Sequence, residues 1–559
     1  MPRKPSPSTT KRPRASKPKV KTGCLTCKIR HVKCDESKPH CTRCLSTGRV
    51  CDGYSPPRLL THIITHSPSH TITHFPTPLP SPAITNAPTP LLPGTPSEQD
   101  SFHTFRTLTT AHLSGLFTSP FWSRHVLQAS LHEPSIFHAA VALGALHSNS
   151  IHTRTWGDGD GDGEFAVRQY VKAIRGLTRP AGERRVDVTL IACLLFTIFE
   201  SLRGYHAAAL THLDNGVNLL LELQSQSHSD SHSHSHSPSH ANKQRPAYPS
   251  LPYTPLPALR ELVMRLDTQA TQLLPTRRTR LRPFSAPCTD YAFTSLEEAR
   301  ARGDELWNYS LYTLQPSASS ASSSPPSCSS ANNDDYCLSP RGQAHRHTSR
   351  IYLADLQARY STALSTYLAT HPPLTPRERQ AGMLLKLHDA VATLSLSPAS
   401  LAGCEEVWSS YTPQFAGIVA LARSIIEMED ALGDDETGIS GGRGGKVGMD
   451  TGVLGPLYLV ALRCRDPVIR SEAVRLLAGA EGRREGLWDS NLLARVAGRV
   501  VVIEGVGGEG KGRKRVEDVD LVFDPEEGCK AGVRFLLEDG IDDRTISKQE
   551  EVGGWVLAS

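Results

Sequence analysis

GCLTCKIRHVKCDESKPHCTRCLSTGRVCDGY, residues 23–54, carries cysteines at 24, 27, 34, 41, 44 and 51. Their spacing, C-x2-C-x6-C-x6-C-x2-C-x6-C, states one half twice without insertion. A Cys-x2-Cys pair lets a single turn of chain aim two thiolates at one metal, and zinc takes four tetrahedral sulfur or nitrogen ligands. Six cysteines are too few for two separate four-cysteine sites, so two of them must bridge. The symmetry of the repeat assigns that role to Cys24 and Cys41, each opening one half. Cys24, Cys27, Cys34, Cys41, Cys44 and Cys51 are therefore the candidate ligands of two Zn2+ ions, in a small domain of two short helix-loop halves.

Bases are interleaved with these ligands, which a mere metal store would not need. After Cys27, the run Lys28-Ile29-Arg30-His31-Val32-Lys33 predicts a short helix with Ile29 and Val32 turned to the cluster and the cationic side chains outward. A guanidinium can bond guanine O6 and N7 together, so Arg30, with His31 beside it, is the candidate for reading bases. Lys28, Lys33, Lys38, Arg43 and Arg49 are candidate phosphate contacts, which position a module without specifying sequence.

On these residues the segment Gly23 to Tyr54 resembles the fungal binuclear zinc cluster, or Zn2Cys6, family of transcription factors. The resemblance implies that Cys24 and Cys41 bridge, that Pro39 occupies the loop position where the family commonly has proline, and that a helix enters the DNA major groove. It also implies that the positions of Arg30 and His31 read a CGG-type triplet. Many members have lysine where this chain has His31.

Charge supports a polyanionic partner for this module alone. Up to Tyr54, fourteen lysines and arginines face three acids, a balance of +11 in a chain of net charge +5, so the remainder is mildly acidic. Six zinc-bound thiolates would still leave the segment at about +9. Residues 1–22 have no acid and no aromatic and read as a disordered basic arm, in which KRPR at Lys11 to Arg14 is a candidate nuclear import signal. Residues 55–100, rich in Pro, Thr and Ser, read as an extended linker whose prolines exclude a long helix and a coiled coil.

From residue 101 to 559 apolar residues recur at helical spacing, as in Ile136, Ala139, Ala140, Leu143 and Leu146. Further helical blocks are expected over 165–177, 186–202, 205–223, 262–274, 296–314, 349–370, 377–396, 415–432, 453–464, 467–477 and 487–500. This is the pattern of a large all-α regulatory domain. It is interrupted by insertions near 225–246, 316–347 and 433–448, expected as solvated, disordered loops. Short strands are expected around Val500 and Val519. The phrases FWSRHVLQASLHEPSIFHAAVALGALH, VTLIACLLFTIFESLRGYHAAALTHLDNGVNLLLEL and CRDPVIRSEAVRLLAGAEGRREGLWDS also resemble the helical region downstream of such clusters in fungal regulators.

Several classes are excluded. An odd count of 13 cysteines, with no apolar segment behind the basic N-terminus, argues against a secreted disulfide framework. The most apolar stretch, 186–202, contains Asp187 and Glu200 and reads as a buried helix ended at Arg203-Gly204, not a membrane span. GVGGEGK at 505–511 opens like a phosphate-binding loop, but Gly512 replaces the hydroxyl that magnesium needs. The Ser-His tract bearing His228, His232, His234, His236 and His240 reads as disordered. His206 and His212 read as satisfied core histidines, and Cys193, Cys404 and Cys464 as packing residues. Asn308-Tyr309-Ser310 is only formally a sequon. No catalytic constellation emerges, so the chain is expected not to be an enzyme.

The reading that unites these features is a nuclear, zinc-dependent, RNA polymerase II-type transcription factor that binds double-stranded DNA in a sequence-specific way. Its helical body would recruit transcription machinery or co-regulators, and homodimerisation, if any, would run through that body. The alternative is a zinc-stabilised protein-interaction scaffold without site preference.

Overall fold

The computed structural model describes residues 24, 26–27, 30, 32–38, 40–51, 93–153, 162–178, 185–232, 252–281, 287–315, 340–397, 408–436, 446–480, 482–505, 516–524, 530–537, 540–549 and 554–557. The basic arm, with KRPR, and residues 55–92 of the linker lie outside them. The chain divides into two units, Met1–Ala87 and Pro88–Ser559.

Among the described residues of the first unit, cysteines take the place of an ordinary apolar core. Its interior is five buried cysteines, against which Val32 and Cys34 pack. The regular elements among its described residues are a helical turn at Thr26 and Cys27, closed by the Arg30 amide donating to the Thr26 carbonyl, and the helix α1, Thr42–Leu45.

The second unit opens earlier than its proline content predicts. Helix α2 spans Pro96–Thr104 and so begins inside the stretch read as linker. Pro96 stands at the first helical position, where its missing N–H costs nothing, and Thr95 and Glu98 form a reciprocal capping box. T-P-S-E is thus a helix start, not linker punctuation.

Helix α3 (Thr110–Ser114), α4 (Val126–His132), α5 (Pro134–Thr153) and α6 (Asp162–Thr178) follow, then α7 (Val186–Arg203) and α8 (His206–His232). Consecutive helices pack on each other, α5 against α6 and α7 against α8 most extensively, and α2 crosses α5. That crossing is close because residue 144 is glycine: a Cβ there would lie 2.0 Å from the Ser101 carbonyl oxygen. Helix α7 is buried on nearly every side, as its largely apolar sequence requires, and ends at Gly204, whose φ of +83° suits glycine.

Helices α9 (Leu256–Leu273), α10 (Leu296–Leu314), α11 (Pro340–Thr370), α12 (Pro376–Ser395) and α13 (Thr412–Glu436) continue the array, followed by α14 (Leu454–Arg463), α15 (Pro467–Gly479) and α16 (Ser490–Gly505). Two-residue strands β1 (Val447–Gly448), β2 (Arg484–Glu485) and β3 (Trp488–Asp489) join beside α14. The buried Glu485 carboxylate accepts the amides of Gly452, Val453 and Leu454 at 2.9–3.0 Å, satisfying the first N–H groups of α14.

The body is mostly helical but not wholly so. Four antiparallel strands, β4 (Val516–Phe523), β5 (Lys530–Leu537), β6 (Gly540–Gln549) and β7 (Gly554–Leu557), form a meander in chain order. Val519, Leu521, Ala531, Val533 and Phe535 are buried in the main core, while Val522 and Leu536 on the opposite face are half exposed. The strand expected at Val519 is therefore present. The one expected at Val500 is not: Leu492, Leu493, Val496, Val500 and Ile503 bury one face of α16, and helical periodicity prevails over the β-branched run.

Helical structure extends into the three segments expected as insertions. Helix α8 runs on through His232, α11 begins at Pro340, and α13 reaches Glu436. Residues 233–251, 316–339 and 437–445 lie outside the described residues, with His234, His236 and His240, as do Cys404 and 506–511 of the glycine-rich motif. Asn308 is fully buried and donates to Thr268 Oγ1 at 3.1 Å, so its sequon is part of the core.

Candidate zinc centre and nucleic-acid interface

The six cysteines converge. Their sulfurs form two groups of four, Cys24, Cys27, Cys34, Cys41 and Cys24, Cys41, Cys44, Cys51, with the sulfurs of each group within 4.8 Å of one another. The members common to both are Cys24 and Cys41, with Sγ atoms 3.6 Å apart. Cys24 to Cys44 is 3.9 Å and Cys27 to Cys41 is 3.8 Å. A tetrahedron of sulfurs about 2.3 Å from zinc has edges of about 3.8 Å, so the arrangement fits two zinc ions sharing two thiolates.

Local hydrogen bonds explain why this short sequence folds so. The Cys27 amide donates to Cys24 Sγ at 3.4 Å, and the Cys44 amide donates to Cys41 Sγ at 3.3 Å, so each sulfur common to the two groups also caps a helical turn. The Cys24 amide donates to Cys34 Sγ at 3.4 Å and the Cys41 amide to Cys51 Sγ at 3.5 Å, drawing the third cysteine of each half back to its first. The Val32 amide reaches the Cys27 carbonyl as the Arg49 amide reaches the Cys44 carbonyl, both at 3.1 Å. Every one of these pairs repeats at an offset of 17 residues. Without a cation the enclosure disfavours thiolates, and burial pushes Cys24 up to about 12 and raises Cys27 and Cys41 as well. Divalent metal supplies the compensating charge.

The helix expected over residues 28–33 lies earlier in the chain. It begins at Thr26 and closes at Arg30, and Val32 to Ser37 have no regular structure. The reason is geometric: Cys34 must return to the Cys24 amide, so the chain leaves the helix before Lys33. Val32 packs against the cysteines as expected. Arg30 is half-buried, and its Nη1 donates to Thr47 Oγ1 at 3.4 Å. Lys33, Lys38, Arg43 and Arg49 are exposed, whereas Lys28, His31, Ile29 and Pro39 lie outside the described residues.

One residue escaped the sequence reading. Asp35 accepts the Thr42 amide at 2.9 Å and the Arg43 amide at 3.0 Å, together with the hydroxyls of Ser37 and Thr42. Those hydrogen bonds, the Ser37 hydroxyl first, hold its carboxyl far below the usual carboxylate range. Asp35 thereby caps α1 from the other half of the module. Its signal is faint, because the cap comes from seven residues upstream and not from the N-cap position.

The remaining candidates behave as core residues. His212 Nε2 pairs with the Tyr170 hydroxyl at 2.8 Å, and His206 packs on Phe523 with ring centroids 4.8 Å apart. Burial pushes the Cys193 thiol up to about 11, and Cys464 is fully buried. No helix among the described residues is long and apolar enough to cross a membrane.

Comparison with known proteins agrees with this geometry. The family model for the fungal Zn(2)-Cys(6) binuclear cluster domain matches residues 22–60, and that for the fungal specific transcription factor domain matches residues 103–245. The aspercryptin biosynthesis cluster-specific transcription regulator atnN of Emericella nidulans is 31% identical over 228 residues, covering 36% of this chain and 35% of that protein. The transcription regulator lscL of Purpureocillium lilacinum is 29% identical over 230 residues, 39% of this chain and 53% of that one. The transcriptional regulatory protein moc3 of Schizosaccharomyces pombe is 42% identical over 71 residues, 10% of this chain and 14% of that protein. The chain thus matches about a third to a half of the length of the first two relatives. No solved structure matches it.

Proposed function

From the premise that this chain carries a fungal Zn(2)-Cys(6) binuclear cluster domain, which binds two zinc ions, followed by a fungal specific transcription factor domain, we propose that it is a sequence-specific DNA-binding transcription factor. The observation that carries the reading is the pair of four-sulfur groups sharing Cys24 and Cys41, which fastens a helical turn ending at Arg30 to a second half bearing Arg43 and Arg49. Metal replaces the hydrophobic core that so short a segment cannot build.

In this reading all six cysteines are zinc ligands. Arg30, with His31, reads guanine edges of a CGG-like triplet in the major groove, and Lys28, Lys33, Lys38, Arg43 and Arg49 engage phosphates. The basic arm, with KRPR, directs the chain to the nucleus. The helical unit recruits transcription machinery or co-regulators, and self-association, where it occurs, uses that unit, since prolines between 56 and 96 rule out a coiled coil directly behind the cluster.

Selection of bound sites from random duplex DNA by the zinc-loaded full chain tests the proposal. CGG-containing sites should be enriched, and zinc removal should abolish the enrichment. A flat selection would instead favour an interaction scaffold.

A further inference from the structure

The helical unit encloses a cavity of about 690 Å³, within the range of roughly 300–1,000 Å³ typical of small-molecule sites. Helices α9, α10, α11, α12 and α14 wall it together with Trp488 of β3 and the start of β4. Trp307, Leu311 and Leu459 face it, and each is only half-buried although it sits among packed helices. Pro275, Thr276 and Arg278 stand exposed at its rim and mark the way in.

Two arginines and two aspartates of the wall pair with one another. Arg265 Nε donates to Asp304 at 2.8 Å, Arg300 pairs with Asp450, and the cross pairs Arg265 with Asp450 and Arg300 with Asp304 lie at 3.9 and 3.6 Å. Asp389 takes hydrogen bonds from Gln357 at 2.8 Å and Ser361 at 2.5 Å, and burial raises its carboxyl towards the neutral form. These groups are already held by partners within the wall, which leaves the apolar side chains of Trp307, Leu311 and Leu459 as the surface between them.

One buried polar atom of the wall belongs to an aromatic ring and lacks a partner. Trp488 is 3% exposed, lines the cavity, and its Nε1 has no hydrogen-bond partner among the described residues. A buried indole N–H without an acceptor is costly, and such groups normally find a partner. Gly455 on α14 keeps the neighbouring ring edge uncovered, since even a Cβ there would lie 3.5 Å from Trp488 Cζ2.

We propose that this cavity binds a neutral, mostly apolar, ring-bearing small molecule, oriented by a hydrogen-bond acceptor on Trp488 Nε1. The helical unit is then a receptor for a small effector, a role additional to DNA recognition.

The test uses the full chain and the neutral dye 6-propionyl-2-dimethylaminonaphthalene, which has two fused rings and one carbonyl acceptor. Its emission should shift to the blue and saturate at one equivalent of protein. Trp488→Phe keeps an aromatic ring but removes the N–H, and should weaken binding about fivefold. Gly455→Leu should abolish binding by occupying the space beside the indole, while the melting temperature and helical circular dichroism stay those of a folded protein. Should Gly455→Leu fail to fold, Trp488→Phe still decides. Absence of saturable binding, or equal binding by Trp488→Phe, overturns the inference. No cluster cysteine is involved, so dye binding without DNA selection sinks only the DNA reading, and DNA selection without dye binding sinks only this one.

Discussion

Arg30 and Thr47 occupy equivalent places in the two halves of the cysteine repeat, 17 residues apart, and they touch, the guanidinium donating to the hydroxyl at 3.4 Å. Thr47 in turn donates to the Arg43 carbonyl at 3.0 Å, so the arginine is braced against α1. The pseudo-symmetry of the metal centre stops at this pair. One half presents a cation able to bond a guanine edge, and the other presents a short hydroxyl that steadies it.

Arg30 is therefore expected to contribute discrimination, and Lys33, exposed beyond the end of the helical turn, to contribute general affinity. Arg30→Ala should cost about 1–3 kcal/mol on the preferred site and little on random duplex. Lys33→Ala should weaken both alike and lower the salt dependence by about one unit of slope. Fluorescence anisotropy on the two duplexes across a salt series reads both, and equal losses for both variants on both duplexes would refute the division.

The shared sulfurs make a stoichiometric prediction. Cys24→Ser or Cys41→Ser removes a ligand from both four-sulfur groups and should leave no zinc bound. Cys34→Ser touches one group only and should retain one ion. Native mass spectrometry counts the metals directly, and a Cys24→Ser protein that kept one zinc would show that the bridge lies elsewhere.

Glu98 joins α2 to α6 inside the second unit. Burial alone would raise its carboxyl, but Lys172 Nζ at 2.8 Å, the Thr95 amide at 2.8 Å and Gln169 Nε2 at 2.7 Å outweigh burial and hold it at about 2. A depressed carboxyl stabilises the folded form fully above its ordinary value of 4.5, and that contribution disappears as pH falls towards 2. Urea denaturation at pH 6 and pH 3 should show Glu98→Gln to be destabilised by about 1–3 kcal/mol at the higher pH, with the gap from the parent narrowing at the lower. A gap independent of pH would contradict this account.

Gly144 permits the crossing of α2 over α5. In Gly144→Ala the new methyl group meets the Ser101 carbonyl, and α2 must shift even though alanine favours a helix. The net cost should be about 1–3 kcal/mol, visible as a lowered melting temperature of the full chain. An unchanged or raised value would mean that the two helices are not packed so closely.

The metal centre is legible in the sequence because its determinants are local. Six ligands at repeated short spacings leave few ways to build two tetrahedra, and the shared pair Cys24 and Cys41 follows from counting donors and from the symmetry of the repeat. The helices of the body are legible for a related reason, since Leu143 and Leu146, or Leu492 and Val496, mark a buried face within single turns of chain. Most helical blocks appear close to their expected bounds, and the stop at Gly204 lies where the sequence places it.

What escapes such a reading depends on partners far apart in the chain. Strand β6 carries Asp542, Asp543, Arg544 and Lys548 and shows no sustained apolar alternation, so only pairing with β5 reveals it. Pro96 reads as linker until Glu98 closes the capping box beneath α6. The cavity needs Trp307, Asp389 and Trp488 brought together from α10, α12 and β3, and the idle N–H of Trp488 exists only because the fold buries it without an acceptor. Short-range covalent spacing dictates where ligands and helical faces lie, whereas empty space and unmet hydrogen bonds arise only when distant segments pack.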